Sequence, residues 1–435
     1  MGALLQNSTQ AEQDFLARFA LAPASSERQA AAERFARAGL PSRRNESWHY
    51  TDLRAKLRAA PPLAARPDAS VLARAKEKLA PSDRLSIVTV DGFFIPELSD
   101  DFSSIPGLSV RALKAEEPAL KSLSQGADDA LLDLNAAFAQ GGVAIEIAAG
   151  AQVEKILELI ALDSVSGALS RFARHLVVLG EGARASLVET HAKGAGGFGD
   201  SALFVALGRG AQMDYACRLL ESGAVPEGGA VPVGGAVKVQ NFVARLEADA
   251  QMRAVSLLAG APFLRRQYFV SCAGADAQIH LSGATLLRGR EHADITLTLD
   301  HDAPACLSRE TFKYVLAEQA NGVFQGKIVV PPHAQKTDGK MLCRALLLSD
   351  DAAMSVKPEL EIFADDVACG HGAACAKLDA SQLFYMETRG ISRPDAQAIL
   401  VEAFAAEAFD DLSDERLRDL LNADLALLLA DGAFA

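Results

Sequence analysis

Apolar and polar positions follow two different periods along this chain, and the switch near residue 141 divides it. Before that point helical spacing dominates. Phe15, Leu16 and Phe19 follow Thr9 and Glu12, a pair placed so that each side chain serves the other's backbone N–H. Ser26 with Gln29 repeats the device ahead of Phe35. After Pro41 comes NESWHYTDLR (Asn45 to Arg54), where Thr51 and Asp52 are placed to cap a short helix through Leu57. Residues 61–81, rich in Ala and Pro, predict a loop or loose helix. LSIVTVDGFF (Leu85 to Phe94) reads as a strand, a turn at Asp91-Gly92 and a second strand start. Residues 127–139 are helical again.

After Gly141 short β-rich runs repeat, among them HLVVL, ASLVET, ALFVAL and KIVV. Small-residue corners separate them, centred on Ala151, Ala183, Ala211, Ala250, Ala277, Ala305 and Ala334. The steps between these alanines are 32, 28, 39, 27, 28 and 29. The long step holds a Gly-rich insert, Ser222 to Ala236, expected to be a surface loop. A fixed period of about 28 residues signals a stacked repeat, and with this strand content a β-solenoid is expected rather than the hairpins of a sandwich. Gly and Ala suit corners where tight stacking leaves no space for a larger side chain.

The C-terminus returns to helical spacing. Asp379 or Ser381 caps Gln382–Arg389, with Gly390 as a stop. Ser392, Pro394 and Asp395 open a second helix with Ile399, Leu400, Ala403 and Phe404 along one face. Ser413 opens a third, striped by Leu417, Leu420, Leu421, Leu425 and Leu428. Such a stripe is core or a partner-docking surface. The division expected is 1–140 helical and mixed, 141–378 solenoid, 379–435 helical.

Composition narrows the function. A net charge of −13 and a pI near 5.2 argue against nucleic acid as a partner. The six cysteines contain no C-x-x-C and no disulfide-scaffold spacing, so a reducing cytoplasm is expected. The N-terminus lacks a basic region before an apolar stretch, so no signal peptide is read, and no run is long enough to span a membrane. Neither a P-loop, a G-x-S-x-G nor an H-E-x-x-H occurs. Asp100-Asp101, Asp128-Asp129, Asp350-Asp351 and Asp410-Asp411 read as solvated charges or helix starts. Trp48, the single tryptophan, is expected to pack helices. Cys217, Cys272 and Cys343 read as small buried hydrophobes, with Cys306 more exposed. His280, His292 and His301 share one short span; ordinary strand positions are expected over a metal-binding trio.

The densest chemistry lies in Pro358 to Ile391, PELEIFADDVACGHGAACAKLDASQLFYMETRGI. Cys369 and His371 are two apart, so an extended backbone presents thiol and imidazole on one face. Cys375 follows, and Asp365 and Asp366 precede. Thiolate and imidazole are ligands for zinc, copper and iron–sulfur species. A zinc protein using Cys369, His371 and Cys375 is one reading, though it lacks a fourth ligand. A β-solenoid carbohydrate-active enzyme is another. It needs clustered acids beside an aromatic groove, from a chain with five tyrosines.

The ordered run LLLSDDA (Leu346 to Ala352), KPELEIFADDV (Lys357 to Val367), CGHGA (Cys369 to Ala373), Leu378-Asp379 and LFYMETRGIS (Leu383 to Ser392) resembles the C-terminal signature of the SufB/SufD family of iron–sulfur cluster assembly scaffolds. NESWHYTDLR resembles the N-terminal signature of its SufD branch. The resemblance implies a right-handed parallel β-helix between helical ends and a non-catalytic scaffold. It implies a SufB-type partner joined at the solenoid ends, and a transient iron–sulfur cluster at that junction, none being held tightly by one chain. His371, with Cys369, takes the cluster role by match to the C-x-H-G motif. Leu383, Phe384, Tyr385, Arg389 and Gly390 match the docking signature for a SufC-type ABC ATPase; Phe384 and Tyr385 read equally well as anchors of their helix to the solenoid. Alone, the chain is expected to form a homodimer through open strand edges. Gly370 and the run Ala374–Lys377 depart from the family's usual residues, and Cys375 is an extra thiol.

Overall fold

In the computed structural model, residues 8–20, 25–114, 117–124, 127, 129–164, 167–192, 196–220, 236–430 and 434 are described. Their strands form two sheets, one ten-stranded and one nine-stranded, and alternate between them from Val143–Ile147 onward. From Val143 onward each neighbouring pair is parallel, and the register does not slip. Arg184, Gln212, Gln251, Gln278 and Leu307, each opening a strand, partner one another down the stack. This is the solenoid that the repeat predicts. Most of the Gly-rich insert, 222–235, lies outside the described residues.

The corners hold for a different reason from the one expected. Gly150, Gly182 and Gly210 sit at φ of 71°, 65° and 62°, and a Cβ built on any of them meets nothing within 4 Å. Backbone handedness, not crowding, selects glycine there. Asp249 and Asp276 take the same position at φ 60°. The stacked residue is the next one: Ala183, Ala211, Ala250 and Ala277 are fully buried. The last two corners shift from the expected Ala305 and Ala334. Ala305 and Lys336 are the left-handed residues, and Cys306 and Thr337 fill the buried place.

Inside the solenoid the two sheets enclose one apolar core. An aromatic ladder, Tyr215–Phe242–Tyr268–Phe312–Phe324, climbs through it with ring centroids 4.9–5.9 Å apart. Helices Gln10–Ala20, Ser26–Ala38 and Ala130–Phe138 cover the outer face of the nine-stranded sheet, packing Phe15, Phe35 and Phe138 on Phe172, Phe198 and Phe263. Thr9 and Glu12 form the reciprocal cap (3.3 and 2.5 Å). Ser25 rather than Ser26 caps the second helix, and residues 61–81 contain the helix Ala69–Glu77.

The C-terminal helices Arg393–Ala406 and Glu415–Leu429 fold back over the ten-stranded sheet. Leu417, Leu421 and Leu425 are fully buried against it, so that stripe is core. The face of the preceding helix is corrected. Ala396, Val401 and Ala405 are its buried residues, and Ile399 is 46% exposed. Asp414, not Ser413, caps the last helix, and Asp424 binds Arg218 on the sheet (2.7 Å). Among the described residues no helix is long and apolar enough to cross a membrane.

Candidate functional site

The solenoid ends in two edge strands, Ala353–Ile362 and Ala368–Ala376, each the last of its sheet. Cys369, His371, Ala373 and Cys375 stand opposite Gly339, Met341, Cys343 and Ala345. Those partners are buried and face the interior. The thiols and imidazole therefore continue the interior wall, on one face as alternation predicts, but among the described residues no further strand lies above them. His371 and Cys375 are exposed and Cys369 is half-buried. Partial burial raises the Cys369 thiol pKa, against a hydrogen bond with the Gly339 backbone, and burial raises that of Cys375. Met354, Val356, Leu360 and Ile362 of the neighbouring edge strand reach the same core. The rod thus finishes in a half-open apolar cross-section edged with donors.

Donor sets whose atoms all lie within 4.8 Å of one another do not include Cys369, His371 and Cys375 among the described residues. Strung along one strand, these three do not converge on one ion, so ligands from elsewhere are needed to complete a centre. Asp365 and Asp366 are exposed in the turn before this strand. Tyr215, Tyr268 and Tyr314 are buried in the interior, so they line no surface groove for a polysaccharide.

Beyond the edge, Asp379 caps helix Ala380–Thr388 through Ser381 N (2.8 Å). Leu383 anchors it, 4% exposed, while Phe384 and Tyr385 are 67% and 58% exposed. Arg389 bonds Tyr385 Oη (3.0 Å) and lies 5.1 Å from its ring centroid. Gly390 ends the helix at φ 86°. Phe384 and Tyr385 are therefore not the anchors of their helix.

Comparison with known proteins bears on this end. The family profile described as "SUF system FeS cluster assembly, SufBD core domain" matches residues 162–404. The iron–sulfur cluster assembly protein SufD of Escherichia coli is 30% identical over 91% of this chain and 91% of its own length. An iron–sulfur cluster assembly SufBD family protein of Synechocystis is 28% identical over 88% of this chain and 86% of its length. The chain belongs to the SufB/SufD family. Within it the likeness is to SufD, and the protein is a SufD-like iron–sulfur cluster assembly protein.

The solenoid interior also holds polar chemistry. Glu189, His191 and Cys217 cluster in mid-rod. His191 Nε2 lies 2.8 Å from Glu189 and 2.7 Å from Gln240, and Arg266 donates to Cys217 Sγ and Gln240. Burial opposes charge on His191, but Glu189 prevails and lifts its pKa to about 10. Burial likewise opposes charge on Glu189, yet His191 and Arg266 bring it to about 2. Cys272, His301 and Cys306 form a second cluster; Cys272 is buried in the apolar core as expected, and Cys306 is fully buried, not exposed. Of the three histidines in one span, His280 meets Asp411 (3.4 Å) and His292 meets Thr51 (3.0 Å), far apart in role from His301. A signal for both clusters was present in the sequence. Glu189 and Cys217, like Cys272 and His301, are separated by one repeat and are register partners on adjacent strands.

Proposed function

We propose that this chain is the non-catalytic scaffold partner of a SufB-type subunit in a SufBCD-type complex of the cytoplasm. The two join through the solenoid ends, and the nascent iron–sulfur cluster sits at that joint with His371 and Cys369 on this side. One observation carries the reading: the edge strand Ala368–Ala376, paired on one side only, presents both donors where a second rod would continue the stack. Open edges pair with other strands, and an incomplete ligand set is completed across such a contact. A neutral imidazole is a weaker ligand than thiolate, which favours release when the joint opens. Helix Ala380–Thr388, with Phe384 and Tyr385 exposed and Leu383 as its anchor, docks a SufC-type ATPase. Without its partner the chain pairs with a second copy by the same edge.

Anaerobic reconstitution with SufB- and SufC-type proteins tests this. His371→Ala is expected to lower cluster yield several-fold with the complex intact, and Phe384→Ala with Tyr385→Ala to lose the ATPase while keeping the scaffold pair. Unchanged yield with His371→Ala removes the ligand role. Failure of the wild-type chain to co-purify with either protein removes the reading altogether.

A further inference from the structure

The interior cluster at Cys272, His301 and Cys306 is built like a metal site. Cys272 and His301 are register partners at the ends of strands Phe263–Cys272 and His292–His301. Cys306 enters from the corner, directly after the left-handed Ala305, and is held by the Gly274 carbonyl (Sγ···O 3.3 Å). The donor atoms lie within 4.8 Å of one another and all three residues are fully buried. Zinc bonds of about 2.3 Å to sulfur and about 2.0 Å to nitrogen place tetrahedral donors roughly 3.5–3.8 Å apart, a modest contraction.

Two further observations point to a cation. His301 Nε2 lies 3.0 Å from Ser308 Oγ, while its buried Nδ1 has no hydrogen-bond partner. A histidine oriented through one nitrogen with the other left free is the usual arrangement of a metal ligand. Glu310, two residues beyond Ser308 and so on the same interior face, is 1% exposed, and neither carboxylate oxygen has a hydrogen-bond partner. A carboxyl buried there is costly to charge, and burial raises its pKa despite the nearby Arg309.

We propose that Cys272, His301 and Cys306 bind a thiophilic divalent cation of the zinc type inside the solenoid, the two thiolates balancing its charge and the buried Glu310 carboxyl lying on the same interior face. On binding, each thiol gives its proton to solvent and its sulfur lone pair to the cation; no electron is transferred. The site is distinct from the exposed edge but connected to it. Ser308, Gly339 and Cys369 are successive register partners, and a Cβ on Gly339 would lie 3.3 Å from Ser308 Oγ and 3.6 Å from Cys369 Sγ.

The test uses the full-length chain, purified anaerobically under reducing conditions, stripped of metal and titrated with cobalt(II). Thiolate-to-cobalt charge-transfer absorption and the visible bands of tetrahedral cobalt are expected to saturate at a single equivalent and to vanish on adding zinc. Cys272→Ser/Cys306→Ser is expected to abolish both, with the circular dichroism unchanged. Should that variant fail to fold, Cys306→Ser alone is expected to halve the charge-transfer intensity, which follows thiolate count. A Cys369→Ala/His371→Ala/Cys375→Ala variant is expected to titrate like wild type. The proposal is overturned by absent bands in wild type, by bands that survive loss of Cys272 and Cys306 or depend instead on the edge residues, or by a Cys272–Cys306 disulfide in the anaerobic protein.

Discussion

Gly210 and Gly274 both stand near corners of the solenoid, yet substitution there meets different physics. Gly210 has open space around it and needs only a left-handed backbone. Gly274 has a neighbouring chain segment in the way: a Cβ would lie 1.9 Å from Ala248 N and 2.5 Å from its Cα. Gly210→Ala is expected to cost about 1–2 kcal/mol. Gly210→Asp should cost less, since Asp249 and Asp276 occupy the equivalent place. Gly274→Ala should cost more, roughly 3 kcal/mol, because backbone must move. Urea unfolding midpoints check the order, and equal effects at the two glycines would refute the distinction. The same contrast shows what single residues disclose in advance. That Cys369 and His371 share a face follows from two-residue alternation and was legible. That Cys272 meets His301 depends on register one full repeat away, and a local reading sees only an apolar strand end.

At the level of elements, the segment around Trp48 is a latch between the N-terminal helices and the solenoid. Its sequence showed a cap and a packing tryptophan but not their partners, which lie far along the chain on strands Phe263–Cys272 and His292–His301. Trp48 is buried under the Arg265 guanidinium, 4.1 Å from the ring centroid, and Arg265 pairs with Asp294 (2.5 Å), both fully buried. Asp52 alone caps the short helix, while Thr51 bonds Asp294 and His292. Arg265→Met strands a buried carboxylate and is expected to destabilise by about 3–5 kcal/mol. Adding Asp294→Leu should recover much of that, a non-additivity that a double-mutant cycle measures. His292 adds a pH dependence. Burial, aided by Lys56 and Arg265 and opposed by Asp294, pushes its pKa down to about 4. The unfolded chain therefore binds that proton first as pH falls. The stability linked to neutral His292 is complete above about pH 6.5 and is lost progressively toward about pH 4, up to about 3 kcal/mol. His175, also lowered to about 4 by burial, acts in the same direction. Denaturation at about pH 7 and about pH 5 should show the loss, and His292→Gln should shrink it without abolishing it.

As a whole the molecule is a rod with unlike ends. At the N-terminal end Leu108–Ala112 and Phe93–Phe94 pair antiparallel with the outermost solenoid strands, which interrupts the parallel stack. Helices shield much of both outer faces. Among the described residues the C-terminal end has no such stop, and its final strands offer free backbone groups beside a partly open core. An open strand edge beside exposed apolar surface is the kind of end that pairs with another chain, as proposed above. The repeat made the rod legible from sequence. Which end stays open was not, because it depends on where the flanking helices land. Gly370 gives a clean probe, since a Cβ there meets nothing within 4 Å. Gly370→Glu should leave the thermal midpoint of the isolated chain unchanged while placing a charge beside the proposed joint. It is expected to weaken association with a SufB-type partner, and self-association, at least tenfold. Leu427→Glu, at a 73% exposed position on the helix Glu415–Leu429, is the matched control and should pair like wild type. Sedimentation velocity separates the outcomes: undiminished pairing by Gly370→Glu, or equal losses in both variants, would place the joint elsewhere on the rod.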